Sequence, residues 1–234
     1  ISSNWSFKNW GSITSINFSS FGDIKMGSKN SHGYDGWGLT NFYSENTNSF
    51  YKLTPTLNPD PLIQKNTGYN QLDLFQKFRF KLARQNYLSI NLQLSNSSNI
   101  NRYDKLSEVR DGNLRYAQWY YGPQKRFLFS PKFEFFKGSR LLKSGVITLA
   151  YQDIKESRVN RKFESFDKNH QSERVSILSL NADFSAKPSN EINTSYGVEI
   201  IQNIIYSDAY SSELSVSESQ IINYVNKIPI PSRY

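Results

Sequence analysis

The stretch from Asn96 to Arg126 gathers Arg102, Tyr103, Arg110, Arg115, Tyr116, Trp119, Tyr120, Tyr121, Lys125 and Arg126. Arginine forks bind carboxylate and catecholate oxygens bidentately. Tyrosine and tryptophan faces stack on flat ligands and accept cations. Such a set can grip a flat, anionic molecule. The same residues can also pack loop against loop, and Trp119-Tyr120-Tyr121-Gly122-Pro123 reads as a rigid fold element or an interfacial girdle. Reactive chemistry has less to work with. The chain has no cysteine and only two histidines, His32 and His170. There is no HExxH, no GxGxxG and no GxxxxGK[ST]. Asn58-Pro59-Asp60-Pro61 reads as a turn without the spaced carboxylates of a calcium loop. The sequence therefore assigns no catalytic residue, no metal site and no cofactor, and the expectation is a protein that is not an enzyme.

The elements that must carry that stretch announce themselves from Tyr69 to Ser95. Leu72, Leu74, Gln76, Phe78, Phe80 and Leu82 alternate with Gln71, Asp73, Phe75, Lys77, Arg79 and Lys81. After a polar turn at Ala83 to Asn86, Leu88, Ile90, Leu92 and Leu94 alternate with Ser89, Asn91, Gln93 and Ser95. Strand side chains alternate faces with period two, so this hairpin has one apolar face and one wet face. Its strands run to roughly 9 to 13 residues, against about 5 or 6 for a typical globular strand. About 10 tilted residues is the length that crosses a bilayer as a β-strand.

Composition agrees. Mean hydropathy is −0.61 over 234 residues and aromatics make up 15% of the chain. No run approaches the roughly 18 apolar residues of a transmembrane helix. A barrel strand gives only half its residues to lipid, so a polar average is compatible with a membrane wall. The competing reading is a soluble all-β sandwich, also rich in Tyr and Phe. The net charge of +8 is scattered over faces, turns and loops. That distribution argues against nucleic acid as a partner and suits lipopolysaccharide or an anionic cargo.

Strand-like runs are separated alternately by short and long connections. Tight turns fall near Lys8, Gln85, Ser139 and Ser189. Long excursions cover 22–68, 96–126 and 157–173, and a Ser-rich fourth follows Tyr206. Phe127, Phe129, Phe133 and Phe135 form one alternating run, which Pro131 interrupts. Ile147, Leu149 and Tyr151 form another, Leu178, Leu180, Ala182 and Phe184 a third, and Ile192, Tyr196, Val198, Ile200, Ile204 and Tyr206 the last. The count is about eight up-and-down strands, the first incomplete. The fold class expected is all-β, an antiparallel transmembrane β-barrel segment with long extracellular loops and short periplasmic turns. Pro229-Ile230-Pro231 is expected to prevent a regular ladder at the C-terminal end. These residues alone are therefore expected to form an open sheet with two unpaired edges.

Several segments resemble TonB-dependent outer-membrane receptors, of the haem, haemoglobin, transferrin or siderophore type found in Bacteroidetes-like bacteria. The likeness lies in Trp10 to Ser15, Phe21 to Gly27, Thr67 to Lys77, Arg102 to Leu106, Leu114 to Lys125, Ala150 to Gln152, Glu156 to Arg158, Arg161 to Phe163 and Pro231 to Tyr234. It runs in order over essentially the whole chain. The resemblance implies that 1–234 is part of a roughly 22-stranded barrel, with the plug domain, the TonB box and the remaining strands outside this chain. It implies a Gram-negative outer-membrane location and energy-coupled uptake of an iron-bearing ligand, an iron-siderophore or haem. The implied partners are TonB, through the plug, together with bilayer and lipopolysaccharide. Loop candidates for ligand binding are then Arg102, Tyr103, Arg115, Tyr116, Trp119, Tyr120, Tyr121, Arg126 and His32. His32, in a glycine-rich stretch, could ligate haem iron through a ring nitrogen. Asp73, Lys77, Arg79 and Lys81 would face the lumen. The alternative is a self-contained small outer-membrane barrel acting as a structural anchor or adhesin.

Overall fold

The computed structural model describes residues 1–27, 36–82, 85–136, 138–217 and 220–229, with backbone pairing alone for 216–217 and 220–229. Nine strands follow one another in a single antiparallel path. They are β1 (Ser2–Ser6), β2 (Trp10–Phe21), β3 (Tyr69–Lys81), β4 (Asn86–Ser97), β5 (Lys125–Phe135), β6 (Ser144–Lys162), β7 (Asp167–Ala186), β8 (Thr194–Ser217) and β9 (Gln220–Pro229). Each pairs with its successor in sequence. Two short strands, Ile100–Asn101 and Tyr116–Tyr121, extend the sheet to eleven. Among the described residues β1 and β9 do not pair, so the sheet is open and no closed barrel forms.

Register places the side chains. Leu72, Leu74, Phe78 and Phe80 of β3 lie on the same face as Leu94, Ile90 and Leu88 of β4, through the pairs Leu74↔Leu94, Phe78↔Ile90 and Phe80↔Leu88. The pairs Ile16↔Leu74 and Phe18↔Leu72 carry that face into β2. Phe127↔Leu94, Phe129↔Leu92 and Phe133↔Leu88 carry it into β5. Phe129↔Tyr151 and Phe133↔Ile147 continue it into β6. Leu149↔Leu180 and Ile147↔Ala182 reach β7, and Leu180↔Ile200 and Phe184↔Tyr196 reach β8. One apolar band therefore crosses seven strands. It extends along each strand for about 20 to 27 Å at 3.3 Å per residue. Inside it, polar groups answer one another: Thr14 Oγ1 donates to Gln76 Oε1 (2.6 Å) and Gln76 Nε2 donates to Ser12 Oγ (2.8 Å).

An aromatic row edges the band at the end of the short turns. Phe7 stacks on Trp10 at 4.6 Å, and Trp10 is the register partner of Phe80. Further along, Phe135 meets Phe184 at 6.4 Å and Phe184 meets Tyr196 at 5.5 Å. Gly145 sits between Phe135 and Phe184 as their register partner, and a Cβ there would meet the Phe184 ring at 2.5 Å and the Phe135 ring at 2.7 Å. The rings cover a glycine that has no side chain to pack, a pairing that holds register in sheets.

Antiparallel order places the ends of β1, β3, β5 and β7 on one side of the sheet, and the ends of β2, β4, β6 and β8 on the other. The alternation of ends matches the sequence reading; several lengths do not. The stretch 157–173 is no excursion, because β6 runs to Lys162, β7 starts at Asp167, and seventeen consecutive residue pairs join the two strands. These residues are polar on both faces, so no hydrophobic period marks them as strand. The strand count is nine rather than about eight, because β8 continues to Ser217 and pairs with β9. That ladder reaches Tyr210↔Pro229, absorbing two register shifts on the way, so the proline ends a strand instead of preventing one. Pro131 lies within β5 opposite Ile90, and the β6 ladder lapses only at Ser130 and Pro131 while keeping register from Phe129↔Tyr151 to Lys132↔Thr148.

Substituting Gly145→Val should wedge the two flanking rings apart and lower stability by about 1–3 kcal/mol. The urea midpoint of the whole protein refolded in detergent measures this. An unchanged midpoint would show that the aromatic row is not packed over Gly145.

Candidate functional site

The long connections 22–68 and 98–124 fold together over the loop end of the sheet. The described residues of 22–68 contribute four short strand pieces, Ile24–Lys25 with Ile63–Gln64 and Phe42–Tyr43 with Thr56–Leu57. Tyr116–Tyr121 pairs with the far end of β6 through Gln118↔Arg161, Trp119↔Asn160, Tyr120↔Val159 and Tyr121↔Arg158. Between Tyr121↔Arg158 and Lys125↔Lys155, three residues oppose two. That extra residue changes which side chains face which way, as a β-bulge does. Tyr120 and Gln118 consequently share the face of Val159, while Trp119 and Tyr121 take the polar one.

Under residues 44–51 lies a buried cationic pair. Arg161 is 1% exposed and Lys168 2%. Arg161 donates from Nη2 to Asn46 Oδ1 (2.6 Å), from Nη1 to the Ser165 carbonyl (3.1 Å) and from Nε to Gln118 Oε1 (3.4 Å), and lies 4.9 Å over the Tyr51 ring. Lys168 Nζ donates to Asn48 Oδ1 (2.7 Å), which also accepts from Tyr120 Oη (3.2 Å), and sits 5.6 Å over the Tyr120 ring. Ser44 Oγ donates to the Ala117 carbonyl (2.5 Å), tying the two long connections together. Lys168 lies ten residues beyond Leu178, outside the apolar band, and burial, with the Arg161 charge adding to it, pulls its ammonium from 10.5 down to about 8. Sequence reasoning missed this centre. Its partners lie 115 and 120 residues apart, and the Asn46-x-Asn48 spacing was its single local trace.

The aromatic and arginine stretch is one cluster, as its sequence suggests, but its polar groups are largely satisfied from within. Arg102 Nε donates to Asp104 (2.9 Å), and its guanidinium covers Trp119 at 4.7 Å, with Tyr121 edge-on to that ring at 5.3 Å. Tyr103 Oη shares a 2.8 Å hydrogen bond with Thr40 Oγ1. Arg115 donates to Glu108, which also accepts from Lys105 Nζ (2.8 Å), and covers Tyr116 at 5.0 Å. The Lys105 and Arg115 bonds hold the Glu108 carboxyl below the ordinary glutamate value. Trp119 and Tyr120 are each 8% exposed. Arg126 stands apart on the polar face of β5, donating to Gln152 Oε1 (2.9 Å). His32 falls outside the described residues. His170 lies in β7 rather than in a loop; its ring stacks on Tyr210 at 4.7 Å, an aromatic neighbour that the local sequence does not reveal.

Two concavities lie near these residues. One, of about 230 Å³, lies at the loop end and is lined by Asn46, Asn48, Asn66, Asn99, Asn101 and Gln118 among others. The other, of about 540 Å³, lies on the polar face around Asn17, Asp73, Gln93, Arg126 and Glu156. Asp73, Lys77, Arg79 and Lys81 share that polar face, opposite Ser95, Asn91, Ser89 and Tyr87. Asp73 accepts from Ser95 Oγ (2.6 Å), and Arg79 reaches Glu134 (2.8 Å) and covers Tyr87 at 4.4 Å. The arrangement can present amides, aromatics and a few charges to a ligand.

Because burial disfavours charged Lys168, the unfolded chain holds its proton more tightly than the folded one. Stability should therefore rise with pH between about 8 and 10.5, by on the order of 3 kcal/mol over the window. The full penalty is present below that window. In Lys168→Met this slope should vanish, read from thermal midpoints across the window; an unchanged slope would place the titration elsewhere. Comparison with protein-family models, with curated proteins and with solved structures finds no match.

Proposed function

We propose that this chain is a wall segment of an outer-membrane β-barrel in a Gram-negative bacterium, and that the barrel is a TonB-dependent receptor importing an iron-bearing ligand, a siderophore complex or haem. The observation that carries the membrane reading is the uncovered apolar band. Phe18, Leu72, Leu94, Phe129, Leu149, Leu178, Val198 and Ile200 are all exposed, and no band aliphatic except Ala182 is buried. A soluble sandwich would bury this face under a second sheet; among the described residues only two-stranded pieces lie outside the main sheet. The accessible surface is 15538 Å², where a compact soluble protein of 27.1 kDa has about 10,900 Å². Lipid supplies the missing cover. A band of roughly 25 Å with an aromatic girdle is what a bilayer asks of a barrel wall.

The receptor reading goes further and rests on the resemblance in Arg102–Leu106 and Leu114–Lys125. The wet face would line a lumen filled by the plug, the loop end would meet the ligand, and TonB would deliver work through the plug. The rival, a self-contained small barrel, fits less well. Nine up-and-down strands place β1 and β9 in the same direction, so these strands cannot close by an antiparallel seam, and single-chain bacterial barrels carry even numbers of strands.

A chain without cysteine makes accessibility a clean test. Introduced singly in the whole protein in living cells, Ser49→Cys should react with an impermeant maleimide. Ser139→Cys should react only after the outer membrane is permeabilised, and Leu94→Cys in neither case. Reaction at all three sites would defeat the membrane reading. For the receptor reading, loss of the gene should abolish growth on haem or on a ferric siderophore as sole iron source, and collapse of the proton-motive force should abolish uptake of radioactive iron. Normal uptake in both conditions would leave a wall without that transport role.

A further inference from the structure

At the loop-end margin of the apolar band, one rung of the sheet carries three cations side by side. Lys125 of β5 is the register partner of Lys155 of β6, and Lys155 is the partner of Arg174 of β7. Asn96 flanks the row through Asn96↔Lys125 and Tyr206 closes it through Arg174↔Tyr206. All five side chains are exposed, and all lie on the face of the apolar band, two residues beyond Phe127 on β5. Directly opposed like charges destabilise a sheet, and here two such oppositions are adjacent.

Local carboxylates do not account for the row. Asp153, one step down the same face, accepts from Arg174 Nη2 (2.7 Å) and Nε (2.8 Å), and also from Tyr151 Oη (3.3 Å) and Ser176 Oγ (3.3 Å). All four bonds reach its Oδ2 and orient one guanidinium without engaging either lysine. Asp208, further along, stands opposite Ser172. Among the described residues Lys125 and Lys155 form no ion pair. The row therefore presents two open ammonium groups and one fixed guanidinium at neighbouring-strand spacing, about 4.8 Å apart. That geometry matches the oxygens of a phosphomonoester, which a guanidinium binds bidentately and an ammonium as a point charge.

We propose that Lys125, Lys155 and Arg174 form a binding site for the phosphate group of a phosphorylated outer-leaflet glycolipid whose acyl chains lie on the apolar band below. The lipid phosphate supplies the anion that lets the three cations sit together. Tyr206 and Asn96 flank it where ring and amide reach its sugar and headgroup oxygens. The site rests on the membrane reading above and extends it to a particular ligand.

The test uses the whole protein reconstituted in nanodiscs of neutral lipid. Bis-phosphorylated lipid A, its dephosphorylated form and inorganic phosphate are titrated separately, and bound lipid is read by native mass spectrometry. Lipid A should bind, and the triple variant Lys125→Gln, Lys155→Gln, Arg174→Gln should bind it about a hundredfold more weakly, at about fivefold per cation removed. Lys125→Arg with Lys155→Arg should retain binding. Dephosphorylated lipid should bind the wild type no better than lipid A binds the variant, and inorganic phosphate should not compete. In neutral lipid alone the double variant Lys125→Gln, Lys155→Gln, which keeps the Arg174–Asp153 pair, should melt no lower than wild type, because only repulsion has been removed. Equal binding of the two lipids, competition by free phosphate, or a lower melting point for the double variant would each overturn the proposal. Failure of the protein to enter the nanodiscs would instead overturn the membrane reading on which it stands.

Discussion

A long, register-keeping backbone ladder is the constraint from which everything else in this molecule follows. There is no cysteine in the chain and, among the described residues, no second large sheet to clamp the first. What holds the strands is pairing, and the pairing is long: twenty consecutive residue pairs join β7 to β8. Side chains repeat with period two, so a slip of one residue would carry the whole apolar set of a strand to the wet face. The irregularities fall where they spare the band. Pro131 leaves its lapse on one side of β5 and keeps register. The extra residue between Tyr121 and Lys125 lies beyond Phe127, where a change of facing does not break the apolar stripe and instead sends Tyr120 and Trp119 to opposite sides.

The faces of β3 and β4 were legible because each strand states its own alternation, as Leu72 to Phe80 and Leu88 to Leu94 do. Phe127 to Phe135 and Leu178 to Phe184 were legible for the same reason. The far halves of β6 and β7 were not. Glu156 opposes Glu173 and Arg158 opposes Gln171; neither face is apolar, so the strand exists through its neighbours' hydrogen bonds and not through a pattern of its own. β9 was hidden behind Pro229, which a ladder tolerates at its terminus. In the loops, Arg102 with Asp104 and Lys105 with Glu108 lie close enough in sequence to be read as local pairs. Arg161 with Asn46 does not, because nothing local records which distant turn will cover a strand end.

The loop end is organised around charges taken out of water. Burying Arg161 and Lys168 carries a desolvation cost that only well-placed acceptors and rings offset. Asn46, Asn48, Tyr51, Gln118, Tyr120 and the Ser165 carbonyl are among those that supply them. Asn46 is held in turn by Lys52, whose backbone N–H donates to its side chain (2.9 Å) and whose carbonyl accepts from it (2.9 Å). The 44–52 turn is thus shaped by the cations it covers, and the cations tie it to β6 and β7.

This internal satisfaction bears on how a ligand could be held. Arg102, Tyr103 and Arg115 already engage Asp104, Thr40 and Glu108 through Nε, Oη and Nη1. A ligand that displaced those bonds would first break hydrogen bonds worth about 0.5–1.5 kcal/mol each, more where charged. Side chains without such commitments lie elsewhere: Asn99, which lines the small loop-end concavity, and Lys77 on the polar face opposite Asn91. The aromatic and arginine stretch therefore acts first as a rigid scaffold. Arg102 over Trp119, with Tyr121 edge-on to that ring, sets the height and tilt of the surface, and the Asn99 amide at the neighbouring concavity is the group a ligand can reach without dismantling the loop.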